Sequence, residues 1–130
     1  MIAALLGLLL GTLAIAALQA GGLLRDRAGA AVLLIAVASY YPVFAAAGGD
    51  PLATGLHVAI FAGFSALAVR AFARGLFLLA GGLIAHGLFN IMIGFINAPG
   101  PAWWPAFVAG FDIAAGVVIL RLIQQGRLPR

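Results

Sequence analysis

The sequence predicts an all-α membrane protein that folds as a bundle of five transmembrane helices. Of its 130 residues, 65% are hydrophobic and only 8% are charged, and the mean hydropathy is +1.21. Water-soluble domains carry about 25% charged residues, so this chain lacks the polar surface that such a domain needs. Five apolar stretches approach the roughly 20 residues with which a helix crosses a bilayer. Residues 1–130 are therefore predicted to form a single transmembrane domain.

The predicted spans are separated by charges, prolines and glycine pairs, and their abundant Ala and Leu favour helix. In chain order they cover about residues 2–24, 28–47, 51–70, 75–97 and 104–120. The first span differs from a secretory signal peptide because its arginines follow the apolar stretch, so we expect it to be retained. Asp50 is expected to cap the third span, which Pro51 begins, and Pro105 is expected near the start of the fifth.

The charges predict the orientation of the chain in the membrane. The seven arginines lie at the ends of apolar stretches, as Arg25, Arg27, Arg70, Arg74, Arg121, Arg127 and Arg130. If successive spans alternate in direction, all seven face one side, which the positive-inside rule makes cytoplasmic. We therefore expect an outer amino terminus, a cytoplasmic carboxyl terminus and a location in the inner (plasma) membrane. With this placement, the arginines that give the chain its net charge of +4 fix its orientation in the lipid bilayer. The charge therefore does not indicate a nucleic-acid partner.

Small residues within the spans predict close helix packing. Ala3, Gly7 and Gly11 recur every four residues and would align on one face of the first helix, and Gly87 and Gly94 form a second such seam. Packing within one chain and packing against a second copy, which would make a homo-oligomer through Ala3, Gly7 and Gly11, both remain open.

Polar side chains inside the spans predict a site, because such residues are costly in lipid. The candidate residues are Tyr40, His57, His86, Asn90 and Asp112. Four of them lie about 9–10 Å below the outer ends of four different spans, and His86 lies about 16 Å deep. His86 shares a helix face with Asn90, and Asn97 continues this stripe outward. The set predicts a polar pocket in the outer half of the membrane that binds a small ligand, an ion or a proton.

Asp112 carries the strongest signal, because a lone carboxylate at this depth costs about 2.5–3.5 kcal/mol on insertion scales. No arginine lies on its side of the membrane, so it must find another partner. The alternatives are the two histidines, Asn90, a tyrosine hydroxyl, water or a cation, and we expect a contact with His57 or His86.

Other interpretations of the same residues remain open. In one alternative, each residue only makes a hydrogen bond that holds helices together, which would suit a structural subunit of a membrane complex. His57, His86 and Asp112 have the ligand count of a zinc or non-haem iron site, which would suit a metal-dependent enzyme acting on a lipid-like substrate. A haem between the two histidines is less favoured, since their depths differ by about 7 Å. Non-enzymatic binding is favoured over catalysis.

The stretch from His86 to Asp112 resembles the motif of a family of small bacterial membrane proteins defined only as a domain of unknown function. That motif is His-x-x-Trp-Asp-x-x-His-His, followed by a loop with proline and an Asp on the next helix. His86 and Asp112 match its first and last residues. The Trp-Asp and His-His pairs are replaced by Phe89-Asn90 and Ile93-Gly94. The resemblance implies a site at His86 and Asp112, the loss of two potential metal ligands, and no particular activity.

Overall fold

The computed structural model describes residues 1–96 and 98–129, and in these residues it is all-helical. The helices are α1 (Ile2–Ala20), α2 (Ala28–Ala38), α3 (Tyr40–Ala47), α4 (Pro51–Arg74), α5 (Leu76–Ile93) and α6 (Trp104–Gln124). Because α2 and α3 together form one stretch interrupted at Ser39, five stretches are long and apolar enough to cross a membrane. The predicted helical class and the number of spans are confirmed, and the chain has the character of a multi-pass membrane protein.

Several helix ends differ from the predicted ones for local reasons. α1 ends earlier than predicted because Gly21 and Gly22 follow it, and Gly22 takes a positive φ of 76°. α4 runs further, to Arg74, and stops at Gly75, whose φ of 149° and ψ of 161° are open only to glycine. α5 begins at the next residue and ends at Ile93. The predicted end at Asn97, and with it the outer part of the polar stripe, lies outside the described residues.

The predicted cap of α4 is confirmed. The Asp50 carboxylate accepts hydrogen bonds from the backbone N–H groups of Leu52 and Ala53, both at 3.0 Å. Pro51 occupies the first helical position, where its missing N–H costs nothing.

The break between α2 and α3 is also caused by a proline, together with a serine side chain. Pro42 has no N–H to offer the carbonyl of Ala38, and the Ser39 hydroxyl donates to the carbonyl of Ala36 at 2.7 Å. The regular ladder of backbone bonds is therefore interrupted one turn before Pro42, and α3 starts afresh at Tyr40.

The helices alternate in direction and place α6 between α1 and α5. Along the α5–α6 contact, Gly116 lies against Ala80 whereas Gly87 lies against Ala109, so these two helices run antiparallel. α4 packs against α2, α3 and α5. The loop after α1 meets the end of α4, where a guanidinium nitrogen of Arg27 donates to the carbonyl of Phe72 at 3.1 Å. The arginines of this loop and those at the end of α4 thus lie at the same end of the bundle.

The predicted small-residue seam on α1 packs against α6 of the same chain. A Cβ added to Gly7 would lie 2.0 Å from the carbonyl oxygen of Phe107, and one added to Gly11 would lie 2.2 Å from that of Phe111. From the other side, a Cβ on Gly110 would lie 2.3 Å from the carbonyl oxygen of Ala4. Backbones this close leave room only for hydrogen, which explains glycine here. The seam serves the packing of one chain, and a contact with a second copy stays a prediction.

Candidate functional site

Buried polar residues from four helices meet on the inward faces of the bundle. Tyr41 on α3, His57 on α4, Asn90 on α5 and Asp112 on α6 are each at most 5% exposed, as is His86 on α5. Burial at this level removes both water and lipid headgroups as hydrogen-bond partners. The partners must therefore come from within the protein or from something that it binds.

His86 and Asp112 form the centre of the site. The imidazole Nδ1 of His86 lies 2.6 Å from Oδ2 of Asp112, and the two residues are 1% and 0% exposed. The expected contact between Asp112 and a histidine is confirmed. Gly87 and Gly116 bring the backbones of α5 and α6 together above and below the pair, which holds the two side chains at this distance. A separation of 2.6 Å is that of a strong, charge-assisted hydrogen bond with one proton between nitrogen and oxygen.

Asn90 connects this pair to α3, and its amide orientation follows from its partners. The amide nitrogen donates to the backbone carbonyl of His86 at 2.8 Å, an oxygen that can only accept. The amide oxygen then faces the hydroxyl of Tyr41 at 2.7 Å, so the hydroxyl must be the donor. Asn90 is itself fully buried, and both of its polar atoms are used. The result is a directed chain of hydrogen bonds from Tyr41 to the backbone beside the His86–Asp112 pair.

Tyr41, and not the predicted Tyr40, supplies the tyrosine hydroxyl. Tyr41 is 2% exposed, whereas Tyr40 is 43% exposed and its ring lies 4.6 Å from that of Trp104, centroid to centroid. Adjacent residues on a helix point about 100° apart, so depth alone could not distinguish them. The sequence signal that was available is Pro42: the break that it imposes at Ser39 sets the rotation of α3.

His57 is buried but is not joined to the His86–Asp112 pair. Its imidazole stacks on the ring of Tyr41 with centroids 5.4 Å apart, and its Nδ1 has no hydrogen-bond partner among the described residues. Within residues 1–96 and 98–129, no three His, Asp, Glu or Cys side chains come together as metal ligands. The predicted set of His57, His86 and Asp112 is therefore not assembled, because aromatic rings occupy the space around each imidazole. Phe64 lies edge-on to His86, with centroids 4.6 Å apart.

Two cavities border the polar residues. One of about 430 Å³ lies between α1, α5 and α6, and Asn90 lines it together with Leu8, Gly94 and Ala109. The other, of about 300 Å³, lies between α4 and the C-terminal end of α5, and His57 lines it. Each cavity therefore lies beside one polar residue of the site, Asn90 or His57, and has room for water or a small molecule.

The His86–Asp112 pair has one buried oxygen atom without a hydrogen bond among the described residues. The second carboxylate oxygen of Asp112, Oδ1, is buried and finds no hydrogen-bond donor in the described part of the chain. A buried acceptor without a partner costs about 1–3 kcal/mol. The pair thus has one filled and one unfilled hydrogen-bonding position.

The chain matches none of the protein-family models, curated proteins and solved structures with which it was compared. The resemblance of the His86 to Asp112 stretch to a membrane-protein family stays a prediction.

Proposed function

We propose that this chain is a multi-pass protein of a bacterial inner membrane that binds and releases a proton at the His86–Asp112 pair. The sequence predicts a small ligand, an ion or a proton, and of these three a proton suits the His86–Asp112 pair best. The observation that carries the proposal is the 2.6 Å separation of Nδ1 and Oδ2 in a site that excludes solvent. The proposed orientation puts the arginine-bearing end in the cytoplasm and the amino terminus outside.

The His86–Asp112 pair can hold a variable number of protons. One proton lies between His86 and Asp112, and either an added or a removed proton changes the net charge of the pair by one unit. In a buried site that change is costly, so the two groups exchange protons as a unit and share macroscopic titration steps. Uptake and release of that proton while the protein stays folded would distinguish a proton-binding pair from a histidine that only holds two helices together.

A proton also needs a way in and out of the pair. Asn90 touches both the backbone of His86 and the 430 Å³ cavity between α1, α5 and α6. The unpaired Oδ1 of Asp112 is the atom of the pair that can itself accept a further proton. At the other end of this row of hydrogen bonds, the hydroxyl of Tyr41 donates a hydrogen bond to the amide oxygen of Asn90.

The experiment is a pH titration of the protein in lipid nanodiscs, followed by NMR of histidine nitrogens and aspartate carboxyl carbons. We expect the signals of His86 and Asp112 to change together, over the same pH interval. In Asp112→Asn the joint change should be lost, because the carboxylate that shares the proton is gone. The control is Asp26→Asn, which changes an exposed carboxylate in the loop after α1 and should leave the joint titration intact.

Two results would contradict the proposal. In one, the signals of His86 and Asp112 stay constant, or move independently, over the whole pH range in which the protein is folded. In the other, Asp112→Asn and His86→Ala both fail to fold, whereas Asp26→Asn folds normally. The pair would then serve only to hold α5 against α6.

A further inference from the structure

The outward face of α4 carries small side chains and an arginine. Ala59, Ala62, Ala66 and Ala73 are exposed on this helix, as is Arg70. Because Ala66, Arg70 and Ala73 follow each other at spacings of four and three residues, they share one helix face. The exposed face of α1 carries large leucines instead. A molecule that lies along α4 can therefore come closer to the helix axis than one that lies along α1.

A shallow hollow of about 690 Å³ lies on this face of α4. Its lining includes Arg70 and the apolar side chains of Ala66, Leu67, Val69 and Ala73. Because Arg70 is exposed, a molecule in the hollow can reach its side chain. Arg70 lies about 6 Å before the end of the helix, and the exposed alanines that precede it lie deeper in the span. The hollow thus combines a positive charge near the end of a span with an apolar surface that continues toward its middle.

The charge of Arg70 is not neutralised by an acidic residue of the described chain. Within residues 1–96 and 98–129, the ion pair that the structure shows is the one between His86 and Asp112. Arg74 follows Arg70 one turn later and adds a second positive charge at the same end of α4. Arginines at the end of a membrane span attract the headgroups of anionic lipids. The charge and the apolar surface together match a molecule with an anionic head and an apolar tail.

A second copy of the chain suits this face less well than an anionic lipid. The positive-inside rule gives all copies the same orientation, so two copies that met along α4 would be parallel. A two-fold interface uses the same residues of both copies, which would bring the two Arg70 side chains toward each other. Like charges that face each other oppose association. An anionic lipid replaces this repulsion with an attraction.

We propose that the hollow on α4 binds an anionic phospholipid of the bilayer, with its phosphate at Arg70 and an acyl chain along the alanines that precede it. The guanidinium group suits the phosphate because its planar fork of N–H donors matches two phosphate oxygens. The acyl chain lies against the helix where no large side chain holds it away. The site is separate from the His86–Asp112 pair. It depends neither on the proposed proton binding nor on the side of the membrane that the arginines face.

The test uses the full chain in phosphatidylcholine vesicles that contain a trace of spin-labelled lipid. The label is carried on the same acyl chain of either phosphatidylglycerol, which is anionic, or phosphatidylcholine, which has no net charge. EPR spectroscopy measures the fraction of each lipid that the protein immobilises. We expect the wild-type protein to prefer phosphatidylglycerol, and Arg70→Gln to lower this preference about fivefold, the contribution of one arginine near the surface. The control Arg25→Gln removes an equal charge from the loop after α1, and should lower the preference by less than about twofold.

A second pair of variants tests the hollow without changing any charge. Ala66→Leu fills the hollow and should reduce the preference for phosphatidylglycerol as strongly as Arg70→Gln does. Its control is Ala85→Leu, the same substitution at an exposed alanine of α5, which should leave the preference unchanged.

Four results would overturn the proposal. The wild-type protein could show no preference between the two lipids, or the preference could survive in Ala66→Leu. Equal losses in Arg70→Gln and Arg25→Gln would show that the general charge at this end of the bundle attracts the lipid. Dissociation of a dimer by Ala66→Leu would assign the outward face of α4 to a second copy of the chain.

Discussion

Replacing Tyr41 by phenylalanine would remove one oxygen atom and, with it, the only hydrogen bond that the structure shows between α3 and the polar residues of α5. The hydroxyl of Tyr41 donates to the amide oxygen of Asn90 at 2.7 Å, and the two residues are 2% and 0% exposed. The phenyl ring that remains can keep its stacking on His57. The substitution therefore tests the hydrogen bond with little disturbance of the packing.

The expected loss follows from the burial of both partners. Losing the bond and leaving the oxygen of Asn90 unpaired would cost about 1–3 kcal/mol in a water-soluble core. Hydrogen bonds between helices in membrane proteins contribute less, with an average of about 0.6 and a maximum of about 1.7 kcal/mol. Because Asn90 is completely buried and has no other donor for this oxygen among the described residues, we expect the upper part of that range, about 1–1.7 kcal/mol.

The assay is reversible unfolding in mixed micelles with increasing SDS, and the control is the neighbouring Tyr40→Phe. The hydroxyl of Tyr40 is at a side chain that is 43% exposed, so its removal should change the free energy of unfolding by less than about 0.5 kcal/mol. Equal losses for the two variants, or a larger loss for Tyr40→Phe, would refute the assignment of Tyr41 to the site. A neutral Tyr41→Phe would show that Asn90 finds another donor.

Two further predictions concern packing and topology. Gly7→Ala places a methyl group 2.0 Å from the oxygen of Phe107, so α1 must retreat by at least 1 Å, and we expect a loss of about 2–3 kcal/mol in the same unfolding assay. The control is Gly63→Ala, which should be nearly neutral because nothing lies within 4 Å of the added methyl group. If Gly7→Ala instead dissociates a dimer and leaves the stability unchanged, the seam lies between two copies of the chain. Because the chain has no cysteine, Ala102→Cys and Gln125→Cys can each be labelled with an impermeant thiol reagent. Ala102→Cys should react in intact cells and Gln125→Cys only after lysis, and the reverse pattern would invert the proposed orientation.

The sequence was sufficient for the five helical stretches and for a contact between Asp112 and a histidine, but not for which of the two histidines makes it. Local chemistry determined the start of α4, where Asp50 and Pro51 act within one turn of the chain. The contact of Asp112 with a histidine followed from energetics, since no other partner of opposite charge lay within reach. The residue types and their depths in the predicted spans are sufficient to predict the start of α4 and the contact of Asp112 with a histidine.

Other features of the site depend on helix rotation, which the depth of a residue does not reveal. Tyr40 and Tyr41 lie at nearly the same depth, yet α3 turns one toward Trp104 and the other toward Asn90. His57 and His86 were grouped as ligands of one metal, but the ring of Tyr41 lies against one imidazole and that of Phe64 against the other. Such separations appear only when side chains from different helices are placed together.

The bilayer explains why rotation was the difficult part. In water, the buried face of a helix is recognised because the opposite face is polar, but lipid tails are as apolar as a protein core. On α1, the exposed Leu5 and Leu9 are more hydrophobic than the buried Gly7 and Gly11, which reverses the rule for soluble proteins. Small and polar residues, rather than large apolar ones, therefore mark the inward faces of these helices. By that rule Asp112 belongs to the centre of the bundle, and its 0% exposure agrees.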